Sequence, residues 1–209
     1  MSEASAPRAT PPAGNGKEAR ILAAAVRVFA EHGYHGSTMA QVAREADVAT
    51  GTIYLYFTRK QDLLITLFGR HLGGYIERSR PELLAAPAGV PRLRLLVAQH
   101  LAFFAGDRAL ASVFQIHARE PDPQLREGIQ PTVAAYFDVI GDVLRSGVEA
   151  GVFDAALDER LARHVFFGAL DEVVTGWVRS RRPYPLMSVH EPLVRMLARG
   201  FGAPPEDLI

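Results

Sequence analysis

Apolar residues recur at helical spacing along almost the whole chain, and nothing reads as the strict alternation of a strand ladder. The first apolar face is Ile21, Leu22, Ala25, Val28 and Phe29, which predicts a helix from near Lys17 that Gly33 ends. A second helix is expected from Ser37-Thr38, either of which can cap it. Its apolar side is Met39, Val42, Ala43 and Ala46. Asp47-Val48-Ala49 leaves room only for a tight turn, and a third, short helix follows from Thr50 to about Phe57. A long helix is predicted from about Gln61, with Leu63, Leu64, Leu67, Phe68 and Leu72 facing inward.

The Pro-, Ala- and Gly-rich stretch from Pro81 to Pro91 reads as a loop. Leu93, Leu96, Val97, His100, Leu101 and Phe104 then predict an amphipathic helix that Gly106 breaks. Asp107 can cap the next one, which carries Leu110, Val113, Phe114 and His117 and ends at Pro121-Asp122-Pro123. Val133, Tyr136, Phe137, Ile140 and Leu144 mark a further long helix, ended by Gly151. Leu157-Asp158 opens one that runs to about Arg182, where Pro183 and Pro185 stop it. Val189, Leu193, Met196, Leu197 and Phe201 form the last. The fold class is all-α.

Composition narrows the function. Residues 1–16 are mostly Ala, Pro, Ser, Thr, Gly and Asn, too little apolar surface to offset ordering, so this segment is expected to be a disordered tail. Hydrophobic residues make up 48% and charged residues 22%, as in soluble globular proteins. Lys+Arg and Asp+Glu are both 23, so any nucleic-acid binding must come from a local face rather than from bulk charge. With no cysteine there is no disulfide framework and no Cys-ligated metal. No segment has the length and apolarity of a membrane span, and no apolar leader precedes residue 17. These features predict a cytoplasmic protein without a membrane partner.

The stretch from Ser37 to Lys60, STMAQVAREADVATGTIYLYFTRK, carries the chemistry. Two helices joined by a three- or four-residue turn can cross steeply, so that the second lays its N-terminal residues in a DNA major groove. That second helix presents Thr50, Gly51, Thr52, Tyr54 and Tyr56, while Ile53 and Phe57, four apart, point back to the core. Hydroxyls and aromatic rings suit phosphate contacts and packing on thymine methyls. Gly51 lets the backbone approach closely. Thr38 can offer a phosphate its hydroxyl and backbone N–H, and Lys60 can neutralise one beside the groove. From Lys17 to Lys60 there are six Lys/Arg against four Asp/Glu, a weakly positive face.

This segment and its preface resemble the TetR family helix-turn-helix. Phe29-x-x-x-Gly33-Tyr34-x-x-x-Thr38 is similar to the family's lead-in, and Ile53-Tyr54-x-Tyr56-Phe57-x-x-Lys60-x-x-Leu63 to its signature. Asp47 departs from the pattern by standing where the turn usually has Gly, although Asp tolerates the left-handed conformation. The resemblance implies a DNA-contact set of Thr38, Gln41, Thr50, Gly51, Thr52, Tyr54, Tyr56 and Lys60, in a DNA-binding domain over 17–61. Residues 62–209 would then bind an effector and dimerise. It also implies a homodimer through the last two long helices, with Gly168, Ala169, Val173, Gly176, Trp177, Leu193, Met196 and Leu197 near the seam. Double-stranded operator DNA is the implied macromolecular partner, and repression the implied activity.

His100, Phe103, Phe104, Phe114, His117 and Tyr136 could line an apolar effector cavity with scattered polar handles. The stretches Val113–Glu120 and Phe166–Val178, the latter followed by Arg179, Arg181 and Arg182, are similar to TetR regulators of fatty-acid degradation that respond to long-chain acyl-coenzyme A. An acyl chain needs an apolar tunnel and coenzyme A phosphates need Arg or Lys at its mouth, for which Arg70, Arg119, Arg179 and Arg182 are candidates. No cofactor beyond such an effector is expected. An efflux-pump regulator that senses aromatic or cationic drugs is the alternative on the same fold. An enzyme finds little support, since no HExxH, Gly-x-Ser-x-Gly or phosphate-binding loop occurs. Asp171-Glu172 are adjacent, so at most one faces the interior.

Overall fold

The computed structural model describes residues 16–117, 122–182 and 184–208. The expected tail lies almost wholly outside them. Every regular element described is helical: α1 (Gly16–Gly36), α2 (Met39–Glu45), α3 (Thr50–Ile53), α4 (Lys60–Phe68), α5 (Gly74–Ala85), α6 (Val90–Ala105), α7 (Arg108–His117), α8 (Pro123–Glu149), α9 (Glu159–Arg179) and α10 (His190–Gly200). A π-helical segment, Gly69–Gly73, joins α4 to α5. No helix among the described residues is long and apolar enough to cross a membrane.

Packing divides the chain into two units. One holds the described residues up to Gly74 together with Gly106–Thr132; the other holds Tyr75–Ala105 and Val133–Ile209. In the first unit α1 packs on α2, α4 and α7. Its core is Ile21, Leu22, Val28, Phe29, Val42, Ile53, Phe57, Leu63, Leu64, Leu67 and Phe68, all buried. In the second unit α6 packs on α9 and α10, and Leu93, Leu96, Val97, Tyr136, Ile140, Phe166, Leu170 and Val174 fill the interior. Full burial of each such side chain stabilises by roughly 1.5–3 kcal/mol.

Gly33, Asp107 and Asp158 start and stop their helices as the sequence suggests, and Asp122 adds a cap to α8. Gly33 breaks α1 with φ 72° and ψ 161°, a conformation that disfavours any side chain. Asp107 Oδ1 accepts from Leu110 N at 2.9 Å, and Asp158 Oδ1 from Leu161 N at 3.0 Å. Asp122 Oδ1 accepts from Gln124 N and Leu125 N at 2.9 and 3.2 Å. The bond from Leu125 N, then that from Gln61, hold its carboxyl below its ordinary pKa.

Five boundaries differ from the pattern-based expectation. The α-helical part of α3 ends at Ile53; beyond it Leu55 N and Tyr56 N bond back three residues, to Thr52 O and Ile53 O, in a tighter turn. The loop expected from Pro81 is helix up to Ala85, because Tyr75, Ser79 and Leu83, spaced by four, bury one face of α5. Pro91 sits in the first turn of α6, where the missing N–H has no role. α8 begins at Pro123 and runs through Pro131, and α9 stops at Arg179, where Ser180 turns extended.

Candidate DNA-binding and effector sites

The head is built from the end of α1 through α4. Thr38 caps α2 in a reciprocal arrangement: Gln41 N donates to Thr38 Oγ1 at 3.2 Å, and Thr38 N donates to Gln41 Oε1 at 2.7 Å. This box satisfies two otherwise unmatched donors of the helix start. Thr38 Oγ1 also donates to Gln41 Oε1 at 3.0 Å, so its proton is spent inside the head. Ser37, the other capping candidate, is buried and instead closes α1 by donating to Gly33 O at 2.5 Å.

The turn after α2 depends on Asp47, the one non-glycine residue with positive φ among those described, at 53°. Asp substitutes for Gly here because its short polar side chain tolerates the left-handed region. Past this turn Thr50, Gly51 and Tyr54 are exposed, and Thr52 and Tyr56 are partly so. Ile53 and Phe57 are buried at 0% and 4%, which fixes the outward face of α3. Leu55, 82% exposed beside Tyr54, was not among the sequence candidates, yet its place between Tyr54 and Tyr56 in the signature was the available signal. A Cβ on Gly51 would meet nothing within 4 Å, so no contact within the chain requires a glycine there.

The Lys60 ammonium, expected beside the groove, is held against the end of α1. It donates to Tyr34 O at 2.5 Å and Ser37 O at 2.8 Å, and lies 4.5 Å from the centroid of the Tyr34 ring. Tyr34 O also accepts from Ser37 N at 3.3 Å, and Lys60 brings a charged donor to both carbonyls at the irregular end of α1. Lys60→Met should therefore lower stability by about 1.5–3 kcal/mol, the range for charge-assisted bonds. The dependence of operator affinity on salt should stay unchanged. A phosphate-contacting lysine would instead reduce that log–log slope by about one. Thermal melting and a salt titration separate the two roles.

In the second unit an aromatic cluster surrounds Tyr136. The Tyr136 hydroxyl and His100 Nδ1 are 2.7 Å apart, and the two rings stack with centroids 5.7 Å apart. Phe104 lies edge-on to His100 at 5.2 Å and Phe103 at 4.8 Å from Phe104. Tyr75 and Phe167, which were not singled out, join at 5.8 Å and 6.3 Å from Tyr136. Tyr75 was foreshadowed by continuing the Leu64, Phe68, Leu72 spacing of the long helix. Burial lowers the His100 pKa to about 3 and raises that of Tyr75 to about 12. Tyr136 is pushed well above its ordinary value, by burial first and then by Tyr75. All three are neutral near pH 7.

The cluster thus gathers His100, Phe103, Phe104 and Tyr136 of the expected effector residues. Phe114 does not join it; its ring stacks on Phe68 at 4.0 Å within the first unit. Arg70 is paired with Glu18. Arg179 and Arg182 are exposed, Arg119 lies outside the described residues, and so does the side chain of His117. Of the adjacent carboxylates, Asp171 is buried and Glu172 exposed, as helical geometry requires.

On α9 an outward stripe of Leu161 (62% exposed), Val165 (50%), Gly168, Glu172 and Gly176 runs along one face. Met196 on α10 is 71% exposed, and Leu157, Leu161, Val165, Met196, Leu197 and Phe201 line a groove between the two helices. Of the expected seam residues, Gly168, Gly176 and Met196 are outside, and Ala169 and Val173 are half-buried. Trp177, Leu193 and Leu197 are buried in the chain's own core, where Trp177 Nε1 donates to Tyr184 O at 3.0 Å. Leu161 and Val165 are exposed apolar positions on α9.

A capped two-helix head with a short outward helix, followed by a helical domain with a buried aromatic cluster, defines a one-component helix-turn-helix regulator. Residues 21–67 match the family described as bacterial regulatory proteins, tetR family, and residues 68–200 the one described as YsiA-like protein, C-terminal region. The fatty acid metabolism regulator protein of Bacillus subtilis strain 168 is 38% identical over 185 residues, covering 88% of this chain and 95% of that protein. The fatty acid degradation regulator FadR from Bacillus halodurans superposes with a TM-score of 0.86 at 38% identity, over 92% of this chain and all of that one. FadR from Bacillus subtilis in complex with stearoyl-CoA gives a TM-score of 0.83 at 38% identity, over 87% and 97%. The chain belongs to the TetR family of transcriptional regulators.

Proposed function

We propose that this protein is a repressor of fatty-acid-degradation genes that leaves its operator on binding long-chain acyl-coenzyme A. The observation that carries the reading is the near full-length likeness, at 38% identity, to a FadR whose structure holds stearoyl-CoA. The buried aromatic cluster around Tyr136 supports it, because such a lining suits an acyl chain. Residues 17–61 read DNA and 62–209 bind the effector and dimerise, a division in keeping with where the two family matches meet. Thr50, Gly51, Thr52, Tyr54 and Tyr56 face the major groove, with Leu55 available for thymine methyls. The α9 and α10 faces that carry Val165 and Met196 pair with a second copy. The effector acts by binding the DNA-incompetent conformation more tightly, which lowers operator affinity in proportion. The protein works in the cytoplasm without a membrane partner.

Fluorescence anisotropy on DNA from upstream of its own gene tests this. Stearoyl-coenzyme A should release the DNA and free coenzyme A should not. If the thioester leaves the complex intact while cationic dyes dissociate it, the effector assignment is wrong and the drug-sensing reading replaces it. Gly51→Ala tests the DNA face separately. Alanine is the better helix former by about 0.5–1 kcal/mol, so the variant should melt no lower than the parent. Its added methyl stands where the backbone meets DNA, and operator affinity should fall at least roughly fivefold, the low end of what one base contact is worth. Unchanged affinity would remove α3's first turn from the interface.

A further inference from the structure

Among the described residues, two buried polar groups around one ring lack hydrogen-bond partners. His100 and Tyr75 both pack on Tyr136, at centroid distances of 5.7 and 5.8 Å. The Tyr136 hydroxyl occupies His100 Nδ1, but His100 Nε2 meets no partner. The Tyr75 hydroxyl has the hydroxyls of Ser79 and Tyr136 as neighbours and makes no bond of normal geometry with either. The flanking rings of Phe103, Phe104 and Phe167 offer neither a conventional donor nor an acceptor.

Leaving a buried donor unmatched costs about 1–3 kcal/mol. Phenylalanine at 75 would avoid that cost with almost the same shape. A half-satisfied buried network is also worse than an apolar core. Both groups are therefore better accounted for as the protein's half of a site that a ligand completes.

We infer that Tyr75 and His100 form a polar subsite that hydrogen-bonds one oxygen of the acyl effector, while the phenylalanine rings pack on its methylenes. The inference rests on the acyl-coenzyme A reading above. The tautomer in which the Tyr136 hydroxyl donates to Nδ1 puts the imidazole proton on Nε2 and makes that nitrogen a donor, as is the Tyr75 hydroxyl. Two oxygens fit this pair of donors: the thioester carbonyl, or a hydroxyl carried on the acyl chain. Either lets the domain tell an oxygenated acyl ligand from a plain hydrocarbon of equal length.

Calorimetric titration of the full-length protein, of Tyr75→Phe and of His100→Phe separates these cases. The ligands are stearoyl-coenzyme A, its octadecyl thioether lacking the carbonyl, and 3-hydroxystearoyl-coenzyme A. If the carbonyl is read, the parent should prefer thioester to thioether by roughly three- to tenfold, the worth of one neutral hydrogen bond. If the chain oxygen is read, the hydroxyacyl ligand should be preferred to the plain one by a similar factor. In both variants the relevant ratio should collapse to within about twofold, and Tyr75→Phe, which deletes one oxygen, guards against misfolding in His100→Phe. Ratios that are the same in parent and variants overturn the subsite and leave the effector assignment standing. If none of the three ligands binds the parent, the effector assignment itself falls and the subsite with it.

Discussion

Val165→Asp should dissociate the protein into monomers and weaken binding to its full operator at least about a hundredfold, the lower end of what linking two half-sites provides. Val165 is 50% exposed and lies along α9 between Leu161 and Gly168. Leu161, Val165 and Met196 share one groove, the kind of exposed apolar grouping that contact between two copies would bury. In a two-fold homodimer a residue near the axis meets its own counterpart, so a single substitution places two carboxylates in one apolar seam. Desolvating one unpaired carboxylate already costs several kcal/mol, and the like charge adds to it. The monomer keeps an intact α3 and should bind an isolated half-site as the parent's single head does. Leu84→Asp serves as the control, because Leu84 is 64% exposed but lies on α5, away from the stripe. Sedimentation equilibrium should report a dimer for the parent and Leu84→Asp and a monomer for Val165→Asp. A Val165→Asp dimer that holds operator DNA like the parent would place the seam elsewhere.

The faces of α9 also illustrate where sequence reasoning stops. α9 is apolar on nearly every side, from Leu161 and Val165 to Phe166, Leu170, Val174 and Trp177. Period alone divides such a helix into faces but does not say which one the chain keeps for itself. Trp177, expected near a dimer seam, is buried and its Nε1 bonds Tyr184 O within the chain. Local chemistry was legible instead. Gly33, Thr38, Asp47, Asp107 and Asp158 each act through atoms within a few residues, so spacing was enough to place them. Lys60 was not legible in that way. Its acceptors, Tyr34 O and Ser37 O, come from residues more than twenty positions earlier. Tertiary folding decides whether that ammonium turns in or out. The helical course through Pro81 and Pro131 was hidden for a related reason: burial along the rest of each helix outweighs one lost hydrogen bond.

Between pH 7 and pH 5 the parent should lose about 2 kcal/mol more stability than His100→Phe. His100 is wholly enclosed, with Tyr136 on one side and Phe104 on the other, and burial depresses its pKa from 6.5 to about 3. In that window the unfolded chain takes up a proton that the folded one refuses. The contribution of neutral His100 is therefore fully present above about pH 6.5 and is lost as pH falls towards 3, by about 1.4 kcal/mol per unit once well inside the window. His100→Phe removes this linkage. It also strands the Tyr136 hydroxyl, so the variant starts out less stable at pH 7 and the gap narrows on acidification. Urea unfolding of both proteins at the two pH values, at one protein concentration, measures the difference of differences. Parallel losses would mean that folded His100 accepts the proton, and an imidazolium there would need an acceptor on Nε2. The expected non-parallel loss keeps the ring neutral in the folded protein, as its burial requires.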